Sequence, residues 1–383
     1  MIDWCQVKLG DIADEVTVGH VGSMVHEYRS EGIPLLRSQN VLPHDFDLKD
    51  VKYIDRDFHA RLKKSALRPG DVVTVRTGKP GATAVVPMHW AEANCSDLII
   101  TRPGSEINAY WLSYYINSVA AGYINSQLVG AVQQHFNVGA AKNIMLNLPP
   151  LHEQQAIAEA LGALDDKIAA NTKLVSLVDD HMGLEYSAAV LGSASASHLN
   201  EVAEFHNRKR VPLSSREREQ RPGDVPYYGA SGVFGTVDTA IFDEPLVLVG
   251  EDGTVINGDG TPVCQYIWGP AWVNNHAHVL TGKGISTELL FLAIKRTQVI
   301  TLVTGAVQPK INMGNLKRLT LETPSVDRLG RLEQIVKTET AVKRAAIEES
   351  RTLAATRDVL LPQLMSGKLR VKEAQKVLED VRV

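Results

Sequence analysis

The sequence predicts a mixed α/β protein built twice: two sheet-containing domains separated by a long antiparallel two-helix coiled coil, related by a pseudo-twofold internal repeat. Three observations predict this. Residues 130–139 read GAVQQHFNVG and residues 305–314 read GAVQPKINMG, so six of ten letters recur at an offset of 175 residues, 305 minus 130. Two long stretches, 152–190 and 325–366, carry apolar residues at the 3–4 spacing of a coiled-coil seam. These stretches lie in segments of opposite charge. By count, residues 149–192 hold two basic and seven acidic side chains, and residues 324–383 hold twelve basic and nine acidic. Complementary charge of this kind lets one helix accept the other.

The chain has 383 residues, enough for two or three domains. A hydrophobic content of 44% and a charged content of 22% are ordinary for a globular protein. No apolar run approaches the ~18 residues of a membrane span, and the start MIDWCQVKLG lacks a charged-then-apolar signal pattern. Cys5, Cys95 and Cys264 are few, odd in number and scattered, which argues against a disulfide framework and fits a reducing, cytoplasmic setting. A net charge of −4 does not by itself point to nucleic acid. Local patches or a partner would have to supply the positive field.

The first domain is expected over residues 1–148 and the second over 193–323. Their elements follow one order. IPLLRSQNV (33–41) matches VPYYGASGV (225–233), and GDVVTVRTGKPGATAVV (70–86) matches PLVLVGEDGTVI (245–256). NCSDLII (94–100) matches NHAHVLT (275–281), each leading to a short helix around Tyr110–Ile116 or Leu289–Ile294. The β-branched runs read as strands. RPGD (68–71), TGKPG (77–81), EDG (251–253) and NGDG (257–260) read as turns. In the repeated decapeptide, Gly130/Gly305 and Asn137/Asn312 predict a turn and a helix cap. A proline then opens each long helical segment, 149–192 and 324–383. The first seam is Ile157, Leu161, Leu164, Ile168, Asn171, Val175, Val178 and Met182, with one polar break. The second is Leu332, Ile335, Val342, Ala346, Leu353 and Leu360, interrupted by Glu339, Glu349 and Thr356. Helices of ~40 residues would be roughly 60 Å long at 1.5 Å per residue.

This pattern resembles a known family. LPPLHEQQAIAEAL (148–161), TPSVDRLGRLEQIV (323–336) and LLPQLMSGKLRV (360–371), alternating with two domains, are similar to the specificity subunit of type I restriction–modification enzymes. YYGASGVFG (227–235), VLVGEDG (247–253) and RTGKPGATAVV (76–86) are similar to the loops of its target-recognition domains. The resemblance covers essentially the whole chain. It implies a DNA-reading, non-catalytic protein whose two target-recognition domains each take one half of a bipartite double-stranded target. It also implies partners: two methyltransferase (modification) subunits and further restriction (motor and nuclease) subunits. Those partners would carry the S-adenosylmethionine, ATP and magnesium chemistry, leaving no cofactor on this chain. The paired helices would then act as a ruler for the spacer between half-sites.

The residues agree where they can. There is no GxxxxGK[ST] phosphate loop, no GxGxxG and no Asn-Pro-Pro run of the kind that opens an amino-methyltransferase tetrapeptide. His276 and His278 share a strand face without an accompanying cysteine or carboxylate cluster, so no metal is expected. DNA contact needs cations for phosphates and fork-shaped or amide side chains for base edges. In the first domain the candidates are Arg37, Gln39, Asn40, Arg76, Thr77, Lys79, Gln133, Gln134 and His135. In the second they are Arg208, Lys209, Arg210, Tyr227, Tyr228, Ser231, Asn257, Gln308 and Lys310. Arg208–Arg210 also fits a solvated turn, and the two tyrosines also fit a core. Gln133 and Gln308 recur in both halves, so they suit positioning better than discrimination; differing neighbours such as His135 and Lys310 suit discrimination. The domain charges nearly cancel: fourteen basic and fifteen acidic in 1–148, twelve and thirteen in 193–323. Weak DNA affinity without partners is expected. The alternative reading is a coiled-coil scaffold with two protein-binding modules and no DNA role.

Overall fold

The computed structural model describes residues 4–128, 135–192, 195–305, 307–374 and 376. The chain folds as two compact units, residues 1–169 with 350–383 and residues 170–349.

The first unit contains, in chain order, strands β1 (Cys5–Lys8), β2 (Ala13–Val18), β3 (Ile33–Leu36), β4 (Val41–Leu42), β5 (Asp45–Phe46) and β6 (Lys52–Ile54). β7 (Ala66–Leu67), β8 (Val72–Val75), β9 (Thr83–Val85), β10 (Ala93–Cys95), β11 (Leu98–Pro103) and β12 (Met145–Leu148) follow. They form two four-stranded sheets, β6-β3-β10-β7 and β2-β11-β8-β9. β1 pairs with β12, so the two ends of the sheet region close on each other. The Val, Ile and Leu side chains of β8 and β11 are buried on both faces, which explains why these strands read as continuous apolar runs rather than alternating ones.

The second unit repeats the plan. Its strands are β13 (Ser195–His198), β14 (Ala203–Phe205), β15 (Val225–Tyr228), β16 (Val233–Val237), β17 (Phe242–Asp243) and β18 (Leu246–Gly250). β19 (Cys264–Ile267), β20 (Pro270–Val273), β21 (Ala277–Gly282) and β22 (Thr320–Thr323) complete them. The sheet orders are β16-β15-β20-β17 and β14-β21-β18-β19, with β13 on β22. Strand for strand this is the first unit's topology, down to the parallel pairs β3–β10 and β15–β20 among antiparallel neighbours. The first unit differs by an inserted hairpin, β4–β5. The repeat seen in ten letters is therefore a repeat of a whole domain.

The two long helices run Leu151–Val190 and Val326–Met365, close to the expected 152–190 and 325–366. Each unit takes one half of each helix. In the first unit Ile157, Ala158 and Leu161 share a buried cluster with Leu360, Leu364 and Met365. In the second, Val178 and Met182 share one with Leu332 and Val336. Partner numbers fall on one helix as they rise on the other: within the second unit Asn171 donates to Glu349 at 2.7 Å, Lys343 to Asp179 at 2.6 Å, and His181 lies 2.5 Å from Glu339. The pairing is antiparallel. Glu339 and Glu349, which break the second seam, thus meet polar partners on the first. Val342, expected in that seam, is 42% exposed, and Thr340 is buried in its place, 3.7 Å from the Met182 sulfur. The buried face shifts at the Glu339 break, so a 3–4 count carried past it lands on the exposed Val342.

The helix starts are braced alike despite different letters. Buried Gln154 accepts from the Asn108 backbone N–H at 2.8 Å, and Glu333 accepts from that of Ser286 at 2.8 Å. Asn108 and Ser286 are the N-caps of the helices Ala109–Asn117 and Thr287–Lys295 that cover each sheet. LHEQQ and RLEQ therefore do the same job, docking a long helix onto the cap of a short one.

Candidate nucleic-acid interface

The site is built where the repeated decapeptide docks on the end of the central strand β8 or β18. Asn137 and Asn312 cap the short helices Val138–Lys142 and Met313–Lys317, accepting from Ala140 N at 2.8 Å and Asn315 N at 2.9 Å. That fixes the chain just before each cap. Phe136 N then donates to Arg76 O at 2.9 Å, and Ile311 N to Glu251 O at 2.9 Å. One residue earlier, His135 bridges Thr77 and Lys310 bridges Asp252. All four positions keep the 175-residue offset. Gly305 turns the second copy at φ +91°, where a Cβ would lie 2.3 Å from the Gln308 carbonyl oxygen. Gln133 and Gln134, like Gly130, lie outside the described residues.

In the first unit this edge gathers a mixed-charge cluster. Arg76 donates to Asp97 at 2.7 Å, and Thr77 donates to the other Asp97 oxygen at 3.1 Å. Asp97 sits at φ +53°, a conformation that turns its carboxylate towards both. Ser38 lies 3.3 Å from Thr77, bringing the loop after β3 to the same edge. Along that loop Arg37 and Gln39 both donate to Asp50, at 3.2 and 2.8 Å. The hydrogen bond from Lys52, then those from Gln39 and Arg37, hold the Asp50 carboxyl at about 2. Lys79 is exposed on the following turn. Asn40 must be corrected. It is 1% exposed, accepts from Arg37 N at 3.0 Å and donates to Asp47 O at 2.9 Å. Its amide is spent on the turn and presents no face to a base.

In the second unit Glu251 is the hub. It accepts from Arg210 at 2.7 Å and lies 3.6 Å from Lys310 Nζ. Arg210 also donates to the Ala277 and Asn275 carbonyls, at 2.7 and 3.1 Å, so it is folded inward. Arg208 and Lys209 stay exposed, Lys209 with its ammonium 5.7 Å from the Phe242 ring centre. His276 pairs with Asp252. His278 is fully buried: it lies 2.8 Å from the Ile311 carbonyl through Nε2 and 2.8 Å from Asn207 Nδ2 through Nδ1. Burial lowers its pKa, keeping the ring neutral, and a neutral ring donating at Nε2 and accepting at Nδ1 satisfies both contacts. Tyr227 is the second correction. It is 2% exposed, with its hydroxyl between the Leu213 N–H and carbonyl, so it belongs to the core. Tyr228 is half-buried against the neighbouring apolar cluster. Ser231, Gln308 and Asn257 are exposed, Asn257 closing its own turn on Thr261. Among the described residues no three His, Cys, Asp or Glu side chains gather as a metal-binding set.

Of the candidates, Arg76, Thr77 and His135 meet at one edge and Arg210 and Lys310 at the equivalent one, Arg37 and Gln39 gather on Asp50, and the residues missed at both edges include acids. Asp97, Glu251 and Asp252 are neither cations nor amides, the residue types expected to meet phosphates and base edges. The constant 175-residue offset would have found the last two, as the partners of Arg76 and Thr77.

The family model of the type I restriction modification DNA specificity domain matches residues 1–178 and again 195–351. The chain belongs to this family. A candidate type I restriction enzyme specificity subunit from Haemophilus influenzae is 29% identical over 127 residues, 33% of this chain and 32% of that relative. The match thus spans about a third of that relative's length. A second such subunit, from Methanocaldococcus jannaschii, is 20% identical over 412 aligned positions, covering 97% of this chain and 94% of the relative. The crystal structure of a type I restriction–modification S subunit from M. genitalium aligns with a TM-score of 0.67 at 16% identity, over 95% of this chain and 96% of that one. It shares the fold. Both edges described above fall inside the two matched specificity domains.

Proposed function

We propose that this specificity-domain protein reads a bipartite double-stranded DNA sequence for a type I restriction–modification complex, each unit taking one half-site. The observation that carries the reading is the duplicated edge: one backbone, docked through the same bonds, presenting different side chains twice. Such a pair of readers suits a target with two unlike halves. The chain itself is non-catalytic on this reading. S-adenosylmethionine, ATP and magnesium act on two modification subunits and on restriction subunits, in the cytoplasm. No helix among the described residues is long and apolar enough to cross a membrane.

Electrostatics supports dependence on partners. Arg37, Arg76, Arg210 and Lys310 each lie against an Asp or Glu. A phosphate must compete with those carboxylates, so isolated affinity is weak and strongly salt-dependent. A place for a modification subunit is the outer face of the first long helix. There Leu174, Leu177 and Leu184 are 38%, 56% and 70% exposed, and Leu191, just past the helix end, is 78% exposed. With Ala170 and Ala188 they keep a 3–4 spacing, broken at His181, which turns to Glu339.

The test is sequencing of methylated bases in a host co-expressing the modification subunits, with and without this chain. A bipartite methylated motif should appear only with the chain. Methylation at the same motif in its absence would overturn the reading.

A further inference from the structure

Letter matching places Asp97 opposite His278, because NCSDLII and NHAHVLT align without a shift. Strand register corrects this by two residues. Leu98 pairs with Val75 in the first unit, and Ala277 pairs with Gly250 in the second. Val75 and Gly250 are related by the 175-residue offset, so Leu98 corresponds to Ala277 and Asp97 to His276. With the docked strand fixed by Phe136–Arg76 and Ile311–Glu251, four positions become equivalent through the backbone alone. They are Arg76 with Glu251, Thr77 with Asp252, Asp97 with His276, and His135 with Lys310. At every one the chemistry differs, and at the first the sign of charge is reversed.

We infer that these positions are the specificity-determining set: Arg76 braced by Asp97 donates to a base edge in one half-site, and Asp252 braced by His276 accepts from an exocyclic amino group in the other. This rests on the DNA-reading function proposed above. The chemistry follows from the pairs. Arg76 gives Nη1 to Asp97, and its planar fork carries further donors in the geometry that matches guanine O6 and N7. A carboxylate cannot donate. Asp252 therefore selects against guanine O6 and N7 and for the amino group of cytosine or adenine. In each unit the bracing partner holds the reading group by a hydrogen bond, so its orientation is set before DNA arrives. A duplicated backbone with identical side chains would read the same base twice. Arg76 and Asp252 lie one register apart, their equivalents being Glu251 and Thr77, so the two halves set unlike reading groups on neighbouring positions of one backbone.

The experiment is methylated-base sequencing with the full chain and its modification subunits. Asp252→Asn keeps shape and the backbone bridge while adding a donor. It should change preference at one base pair of one half-site, by roughly 5- to 100-fold, leaving the other half-site as it was. Cytosine against adenine at that position identifies which amino group is read. Arg76→Gln should alter one base pair of the opposite half-site only. Unchanged motifs, or one uniform fall in methylation at every site for both variants, would overturn the inference. Recovery of each variant in complex with the modification subunits, with an unchanged melting temperature, separates altered reading from misfolding. Should either variant fail to assemble, His276→Gln and Asp97→Asn take its place, and unaltered half-sites with these also count against it. If the unsubstituted chain directs no motif, the failure lies with the functional reading instead.

Discussion

Replacing Asp165 by alanine tests how the first unit grips the long helices. One carboxylate joins three elements. Its Oδ1 accepts from Arg357 of the second long helix at 2.6 Å, and its Oδ2 accepts from the hydroxyl of Tyr114, on the helix covering the sheet, at 2.5 Å. Tyr114 is 4% exposed, so a hydroxyl deprived of its acceptor costs about 1–3 kcal/mol. The ion pair is partly solvated, with side chains 23% and 29% exposed, and Asp358 still accepts from Arg357 at 2.9 Å. Its loss adds about 1 kcal/mol. Asp165→Ala should therefore destabilise the unit by about 2–4 kcal/mol. At roughly 2–4 °C per kcal/mol for a unit of about 200 residues, the melting midpoint should fall by about 4–16 °C. Burial and the Asp165 hydrogen bond both raise the Tyr114 pKa, so the phenol stays a donor at any pH used. Circular dichroism melts of Asp165→Ala, Tyr114→Phe and the double variant give the coupling directly. The two effects should fall short of additivity by about 1 kcal/mol. A midpoint within about 1 °C of the parent, or strict additivity, would refute the idea that this carboxylate is the clamp.

Beside the clamp, burial lowers the His44 pKa from 6.5 to about 4. The unfolded chain then takes up that proton first. Stability from this group is full above pH 6.5, declines as pH falls toward 4, and is level below; His44→Asn should flatten that slope in urea midpoints measured at pH 7, 5.5 and 4. Leu177→Glu with Leu184→Glu should abolish co-purification of the modification subunits while leaving the melting temperature within about 1 °C, since both side chains are largely exposed. Retained co-purification would move the docking surface elsewhere. If the paired helices are the spacer ruler, four residues inserted after Asn171 and after its partner Glu349 add about 6 Å to each helix. The methylated motif should then keep both half-sites and lengthen its spacer by one or two base pairs, and an unchanged spacer would sink the ruler.

The fold was legible because its strongest signals are periodic. Alternation of turn residues with β-branched runs located β3, β8, β15 and β18, and the seam residues Ile157, Leu161 and Met182 are buried where the 3–4 count placed them. What stayed hidden depends on three dimensions. Asn40 and Asn137 are both polar residues at element boundaries; one is buried in a turn and the other is a partly exposed cap. Only the surrounding chain separates them. Tyr227 carries the same aromatic letter as Tyr228 on a strand whose faces differ in burial. The acids at the site were illegible for another reason. A search for phosphate ligands weights cations, whereas here cations and carboxylates are interleaved, and the pairing of Arg210 with Glu251 spans 41 residues.

That interleaving bears on how such a reader would be tuned. A cation held by a carboxylate is oriented but partly neutralised, so it contributes direction more than attraction. Affinity can then be delegated to partner subunits, and the edge is left to discriminate. The arrangement also makes the edge tolerant of change. Glu251 replaces Arg76 at the end of the central strand, yet the same N–H···O bond of 2.9 Å docks the next segment in both units, because that bond uses main-chain atoms alone. Backbone holds the position and side chains carry the message. A fold organised in this way can exchange donors for acceptors at four positions without disturbing the sheets beneath them, which is the physical condition for one domain plan to serve two unlike half-sites within a single chain.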